Sequence, residues 1–270
     1  MNDTKLSKLK QYISEFSKNG ICIAFSGGVD STLLIDIANE VVEKEKLIAV
    51  TFSTKLHPKG DIEIAKKLCQ ERNIKHIIID INELENNELI NNPVNRCYIC
   101  KKHIFKKLIE CANENNMAVC IEGTNYDDLS SYRPGIKAIK ELSIKSPLME
   151  FGFTKKEIRE FAKARGISVS DRPSAPCLAT RIPYNTKMDF EFFEKIEECE
   201  NIIKSLGFRN VRIRVHENIA RIEIDKEDFV KFIENGDIIC SEIKKKGFDY
   251  VTLDIEGFRS GSMDIGLSKG

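Results

Sequence analysis

From Met1 to about Ser170, short runs of β-branched and aliphatic residues alternate with segments whose apolar positions recur at helical spacing. Ile21–Phe25, Leu47–Phe52, Lys75–Asp80 and Met117–Glu122 read as strands, with a weaker one near Ser143–Pro147. Between them, Leu33, Leu34, Ile37, Ala38, Val41 and Val42 make one helical face. Ile62, Ala65, Leu68 and Cys69 make a second, and Ile104, Phe105, Leu108, Ile109 and Ala112 a third. Strands alternating with helices predict an α/β fold with a doubly wound parallel sheet. Such sheets bind ligands outside the carboxyl ends of their strands. The segments SGGVDS, TFST and GTNYDD, which follow or end the first, second and fourth strands, all fall at that edge.

After residue 150 the pattern changes. A helix over Thr154–Arg165 opens with Thr154 as N-cap and Glu157 at the capping-box position. Pro173, Pro176 and Pro183 then make an irregular loop, because proline lacks a donor and restricts its predecessor. A long helix near Asp189–Leu206 precedes strands Val211–His216 and Ala220–Asp225. A helix over Glu227–Lys246, broken near Gly236, and a strand Tyr250–Asp254 follow. The expectation is a larger α/β domain over residues 1–180 and a small α+β domain over 181–270.

Composition narrows the function classes. Lys+Arg and Asp+Glu balance at 42 each, so there is no global electrostatic case for nucleic acid or an anionic membrane. No apolar run approaches the roughly 18 residues of a membrane-spanning helix, and the first residues lack the apolar core of a secretion signal. A soluble, cytoplasmic protein is expected. Nine cysteines, an odd number, argue for reduced thiols rather than a disulfide framework.

The stretch with most chemistry is Ser26-Gly27-Gly28-Val29-Asp30-Ser31. A strand feeding a small-residue turn that opens a helix gathers backbone N–H groups at a partially positive helix end, which suits phosphate. Ser26 and Ser31 add hydroxyls, and Gly27 and Gly28 allow close backbone approach. The pattern S-G-G-x-D-S matches the phosphate loop of the N-type ATP pyrophosphatases; it is neither a Walker loop nor G-x-G-x-x-G. Six cysteines (Cys22, Cys69, Cys111, Cys120, Cys199 and Cys240) lie in strands or beside apolar helical faces and read as core residues. Cys97 and Cys100, in NRCYICK, and Cys177, in PCLATR, do not. The C-x-x-C alone is compatible with half a zinc site, a redox pair or cluster ligation. Three thiolates on a [4Fe–4S] cluster would leave one iron open for an exogenous sulfide.

Taken together, SGGVDS, NRCYICK, GTNYDDLSSYRPG, PCLATRIPY, VRIRVH and GFRSGS run in order along nearly the whole chain. In this set the sequence resembles the LarE family, ATP-dependent sulfur transferases of nickel-pincer cofactor biosynthesis. The resemblance implies an ATP pyrophosphatase (PP-loop) domain of the adenine nucleotide alpha hydrolase type, joined to a small C-terminal domain in a homo-oligomer, a hexamer in family members. It implies adenylation of a carboxylate of a pyridinium biscarboxylate mononucleotide, release of pyrophosphate, and replacement of oxygen by sulfur. The presence of Cys97, Cys100 and Cys177 is similar to the three-cysteine, [4Fe–4S]-dependent members; single-cysteine members sacrifice the cysteine corresponding to Cys177.

The implied cofactors are ATP, Mg²⁺ and the cluster. Ser26, Gly27, Gly28, Ser31, Gly123 and Thr124 are placed with the nucleotide, and Asp30 orients the loop or holds Mg²⁺. Asp127 and Asp128 are candidate magnesium ligands or a solvated acidic turn. Arg212 and Arg214, two apart on a strand, face one side and suit a substrate phosphate or carboxylate; a salt bridge to Glu223 or Asp225 is the alternative. Arg181 and Arg259 are further candidates. A tRNA-thiolating enzyme, an ammonia-using ligase and a structural zinc protein are the rival readings.

Overall fold

The computed structural model describes residues 3–58, 60–83, 86–130, 133–173, 176–259 and 261–264. Ser131 and Tyr132 of GTNYDDLSSYRPG, Ser174 and Ala175 of the proline-rich loop, and Ser260 of GFRSGS lie outside the described residues. The chain divides into two compact units. The first holds residues 1–55, 59–86 and 95–174; the second holds 175–270 with the short pieces 56–58 and 87–94.

In the first unit the order is α1 (Asp3–Glu15), β1 (Ile21–Ala24), α2 (Val29–Val41), β2 (Leu47–Thr54), α3 (Gly60–Glu71) and β3 (Lys75–Ile81). Then follow α4 (Arg96–Glu114), β4 (Val119–Ile121), α5 (Gly135–Glu141), α6 (Pro147–Glu150) and α7 (Lys155–Ala164). The four strands are parallel in the order β3-β2-β1-β4. Because side chains alternate across a strand, Ile21, Ile23, Leu47 and Ala49 enter a core with α1, α2, α3 and α7. Cys22, Ile48 and Val50 enter another with α4 and α5. Burial on both faces is why β1 and β2 read as continuous apolar runs. The weaker strand expected near Ser143–Pro147 is reduced to one parallel bridge, Ile121 to Lys145. The capping box at Thr154 and Glu157 forms as expected.

In this order the chain builds outward from β1 to β2 and β3, then returns to place β4 on the other side of β1. The reversal puts a topological switch point between the carboxyl ends of β1 and β4, where such sheets hold their ligands.

The second unit holds α8 (Phe190–Ser205), β5 (Val211–His216), β6 (Ile219–Ile224), α9 (Phe229–Glu234), α10 (Gly236–Lys245) and β7 (Tyr250–Leu253). β5 and β6 are antiparallel, and β7 joins β6 in parallel. Phe193, Ile196, Cys199 and Ile203 of α8 and Ile239 and Ile243 of α10 supply its buried helical faces. The helix expected over Glu227–Lys246 is interrupted at Asn235, just before Gly236.

Candidate active site

β1 ends at Ala24, and the chain turns through the glycine-rich loop into α2. Gly27 has φ +69°, a left-handed conformation, and its Cα faces the backbone of α3: an added Cβ would stand 3.3 Å from Ala65 N and 3.4 Å from Asp61 O. The serines tie the loop to itself. Ser31 Oγ accepts from Ser26 N–H at 3.3 Å and lies 3.1 Å from Ser26 Oγ, which accepts from Gly28 N–H at 3.3 Å. The N-cap residue of α2 is Gly28, which has no side chain to cap the helix. Its first-turn N–H groups therefore form a site of partial positive charge, ready for an anion.

Asp30 stands in that first turn. Its Oδ2 pairs with the Lys155 ammonium at the start of α7. Its Oδ1 is buried with no hydrogen-bond partner among the described residues. Burial pushes the Asp30 carboxyl up from its ordinary value, and Lys155 only partly offsets this.

The loop after β4 forms the opposite wall. An added Cβ on Gly123 would lie 3.0 Å from Ser31 N and 3.4 Å from the Asp30 carbonyl carbon, so the two loops touch backbone to backbone. Glu122, buried just before it, accepts from Thr124 N–H at 2.9 Å, Thr124 O–H at 2.7 Å and Ser146 O–H at 2.6 Å. Lys101 of α4 stands 3.5 Å from the same carboxylate. Asp127 and Asp128 lie in a 3₁₀ helix, Tyr126–Ser130. Asp127 Oδ2 accepts from Lys155 N–H at 2.8 Å. Asp128 accepts from Asn125 N–H at 3.1 Å and pairs with Arg133 at 2.9 Å. The Asp127 and Asp128 carboxylates thus tie the loop together in this conformation. Lys155 and Glu122 carry no motif, and sequence reading missed both; the capping box at Thr154, one residue before Lys155, was the nearest signal.

Cys97 and Cys100 sit in the first two turns of α4, three residues apart and so on one face. Cys97 is exposed and Cys100 half-buried. Gly135, at the RPG end of the GTN motif, packs under this turn: a Cβ there would lie 2.6 Å from Lys101 Cδ and 3.4 Å from the Cys97 carbonyl. Cys177 belongs to the second unit, half-buried at the head of the 3₁₀ helix Leu178–Arg181. Its carbonyl accepts from Thr180 N–H at 3.0 Å and Thr180 O–H at 2.8 Å. All nine cysteines are free thiols; of the six read as core residues, Cys22, Cys69, Cys111 and Cys199 are buried, whereas Cys120 and Cys240 are half-buried. Among the described residues no three His, Cys, Asp or Glu side chains stand together as a ready metal site.

Three arginines of the second unit are buried. Arg212 and Arg214 on β5 are each 4% exposed, and Arg181 only 1%. Arg181 grips Glu200 with both prongs, at 2.7 and 3.1 Å. Arg214 donates to Glu223 at 3.2 and 3.1 Å and to the Thr180 carbonyl at 2.9 Å, which realises the cross-strand salt bridge. Arg212 donates to the Val211 carbonyl at 2.7 Å and lies 5.3 Å above the Phe258 ring. Burial and the neighbouring Arg181 push the Arg212 guanidinium down to about 10. Burial opposes the Glu200 charge, but Arg181 overrides it and holds the carboxyl below its ordinary value. Three buried guanidiniums thus face two buried carboxylates, an excess of positive charge. Arg259 is more open, paired with Asp254 at 3.0 Å and Glu256 at 2.7 Å. With Tyr184, His216, Arg221 and Ser262 it lines a cleft of about 530 Å³.

The sequence profile of the NAD synthase family matches residues 2–92. The chain is 36% identical over its full length to an uncharacterised protein of Synechocystis that it also covers completely. It is 37% identical to an uncharacterised protein of Methanocaldococcus jannaschii, covering 95% of this chain and 98% of that one. It is 32% identical to the pyridinium-3,5-bisthiocarboxylic acid mononucleotide synthase of Lactiplantibacillus plantarum, over 92% of this chain and 90% of that protein.

Proposed function

This chain belongs to the LarE family, that of the pyridinium-3,5-bisthiocarboxylic acid mononucleotide synthase, and from that premise we propose an ATP-dependent sulfur transferase acting on a pyridinium mononucleotide. A carboxylate of the pyridinium biscarboxylate mononucleotide attacks the α-phosphorus of ATP, and the bond to pyrophosphate breaks. The acyl adenylate then accepts a sulfide sulfur at its carbonyl carbon, and AMP leaves with the C–O electron pair. Adenylation is needed because a carboxylate oxygen is a poor leaving group.

The observation that carries this reading is the meeting of the loops after β1 and β4 beside an uncapped helix end, with Asp30 Oδ1 buried and unpartnered there. Backbone N–H groups and the Ser26 and Ser31 hydroxyls cradle the phosphates, and Gly123 and Thr124 close the other side. Bound Mg²⁺ would shield the triphosphate as pyrophosphate departs. Asp30 is the better carboxylate for it, because the Asp127 and Asp128 carboxylates are tied to Lys155, Asn125 and Arg133. The excess positive charge around Arg181, Arg212 and Arg214 suits a substrate phosphate or carboxylate, with Arg259 beside it in sequence role rather than in burial.

For sulfur delivery the donor set is the three thiols Cys97, Cys100 and Cys177, exposed or half-buried, whose chemistry suits a [4Fe–4S] cluster. Such a cluster, when bound, would present an iron without a protein ligand and hold sulfide there. We place the reaction in the cytoplasm, where nine free thiols stay reduced. No helix among the described residues is long and apolar enough to cross a membrane. A homo-oligomer, hexameric by family resemblance, is supported by Val230 and Ile233, about 70% exposed and three residues apart on α9.

The test is anaerobic. Reconstituted protein given ATP, the pyridinium biscarboxylate mononucleotide and sulfide is expected to release AMP and pyrophosphate and form the thiocarboxylate, read by mass spectrometry. Iron and sulfide analysis, with the mass of Cys177 before and after reaction, decides the sulfur source. Zinc without iron would sink the cluster, and dehydroalanine at Cys177 would establish sacrificial donation instead. Tight, steeply salt-dependent tRNA binding would favour a nucleic-acid substrate.

A further inference from the structure

β1 stops pairing with β2 at Ala24, yet the next residue is still held by that strand. Phe25 N–H donates to the Val50 carbonyl at 2.8 Å, a normal ladder contact. Its carbonyl, the last before Ser26, is taken by a side chain instead: Thr51 O–H donates to it at 2.6 Å. Thr51 is 4% exposed. His76 Nε2, on β3, lies 2.7 Å from Thr51 Oγ1. A hydroxyl has one proton, and here it points at Phe25, so Nε2 must be the donor to Thr51. Burial, reinforced by Lys66, pushes the His76 imidazole down from its ordinary value, which keeps the ring neutral. The Phe25 ring stands edge-on to the imidazole at 6.2 Å.

We propose that Thr51 and His76 are positioning residues for ATP, a three-strand polar latch that sets the angle at which the phosphate loop leaves the sheet. The chain His76 Nε2–H to Thr51 Oγ1, then Thr51 O–H to the Phe25 carbonyl, spans β3, β2 and the end of β1. It acts where the backbone turns from strand to loop, directly before Ser26. Past that point the loop is tied largely by its own serines, so a shift at Phe25 would carry the whole phosphate cradle with it. Neither side chain reaches the phosphates; both act through the Phe25 carbonyl. The inference rests on the loop binding ATP, as proposed above.

The test uses the full chain. ATP binding by calorimetry is expected to weaken roughly tenfold in Thr51→Val, which removes the hydroxyl at constant shape, and to return to near wild type in Thr51→Ser. His76→Phe is expected to weaken it less. KM for ATP should rise in Thr51→Val while KM for the mononucleotide stays put. In wild-type protein labelled with ¹⁵N-histidine, His76 should be the neutral Nε2–H tautomer, a readout that needs no variant to fold. Equal ATP binding by the valine and serine variants, or an Nδ1–H tautomer at His76, would overturn the latch. Binding and tautomer are both independent of turnover. Wild-type protein that binds ATP without releasing AMP and pyrophosphate would therefore count against the assigned reaction, while the variants still decide the latch.

Discussion

At the glycine-rich loop of the first unit, Asp30 gives one oxygen to Lys155 and keeps the other buried without a hydrogen bond among the described residues. In the second unit Glu200 meets Arg181, Lys204 and Ile213 N–H, and Glu223 meets Arg214, Arg221 and Ser262. The contrast separates two uses of buried charge. A carboxylate whose every oxygen is engaged holds its own fold together, whereas one left half-satisfied lowers stability and remains available to a ligand.

The largest expected effect breaks the satisfied side. Glu223→Ala leaves Arg214 buried without its carboxylate and should cost about 3–5 kcal/mol of stability, measured by denaturant unfolding. A loss under about 1 kcal/mol would mean that the cluster behaves like an exposed ion pair.

Next is the unsatisfied side. Asp30→Asn should lower pyrophosphate release by roughly 10²-fold without lowering the unfolding midpoint, since it removes a charge that burial disfavours. A fall in both together would make Asp30 a structural residue like Glu223.

The smallest effect sharpens the contrast through pH. The folded-state pKa of Glu200 lies below its ordinary 4.5, so its contribution is present above that pH and lost as pH falls through the folded value. Asp30 has the opposite sign. Its folded-state pKa lies above the ordinary 3.8, so its ionised form subtracts stability, and acid relieves that loss. Below about pH 5 the stability curve should therefore become shallower in Glu200→Gln and steeper in Asp30→Asn. Identical acid slopes in the two variants would remove the distinction.

Much of the architecture was legible because it is local. The alternation of apolar strands with helical faces placed β1, β2 and β3 to within a residue or two, and the Thr154 capping box was visible as a four-residue pattern. The small bridge at Lys145 was over-read as a strand, because apolar content near Ser143–Pro147 cannot say how many residues find a neighbour. Arg214 and Glu223 sit on adjacent hairpin strands, close enough in sequence for the pairing to be weighed in advance. The membership of residues 87–94 in the second unit was not. It depends on Asn92, with φ +48°, donating to the Pro183 carbonyl at 2.8 Å, and on Ile90 accepting from Met188 N–H at 2.7 Å.

Periodicity and short motifs thus settled the α/β class and the position of the glycine-rich loop between β1 and α2. Each depends on residues within about one turn or one strand of one another. Which carboxylates are consumed by the fold and which stay open depended on partners far away in the chain: Lys155 for Asp30, Ser146 for Glu122, Arg181 for Glu200. A carboxylate carries the same charge in every sequence context. Burial and the donors that folding brings to it decide whether that charge stabilises the protein or waits for a substrate.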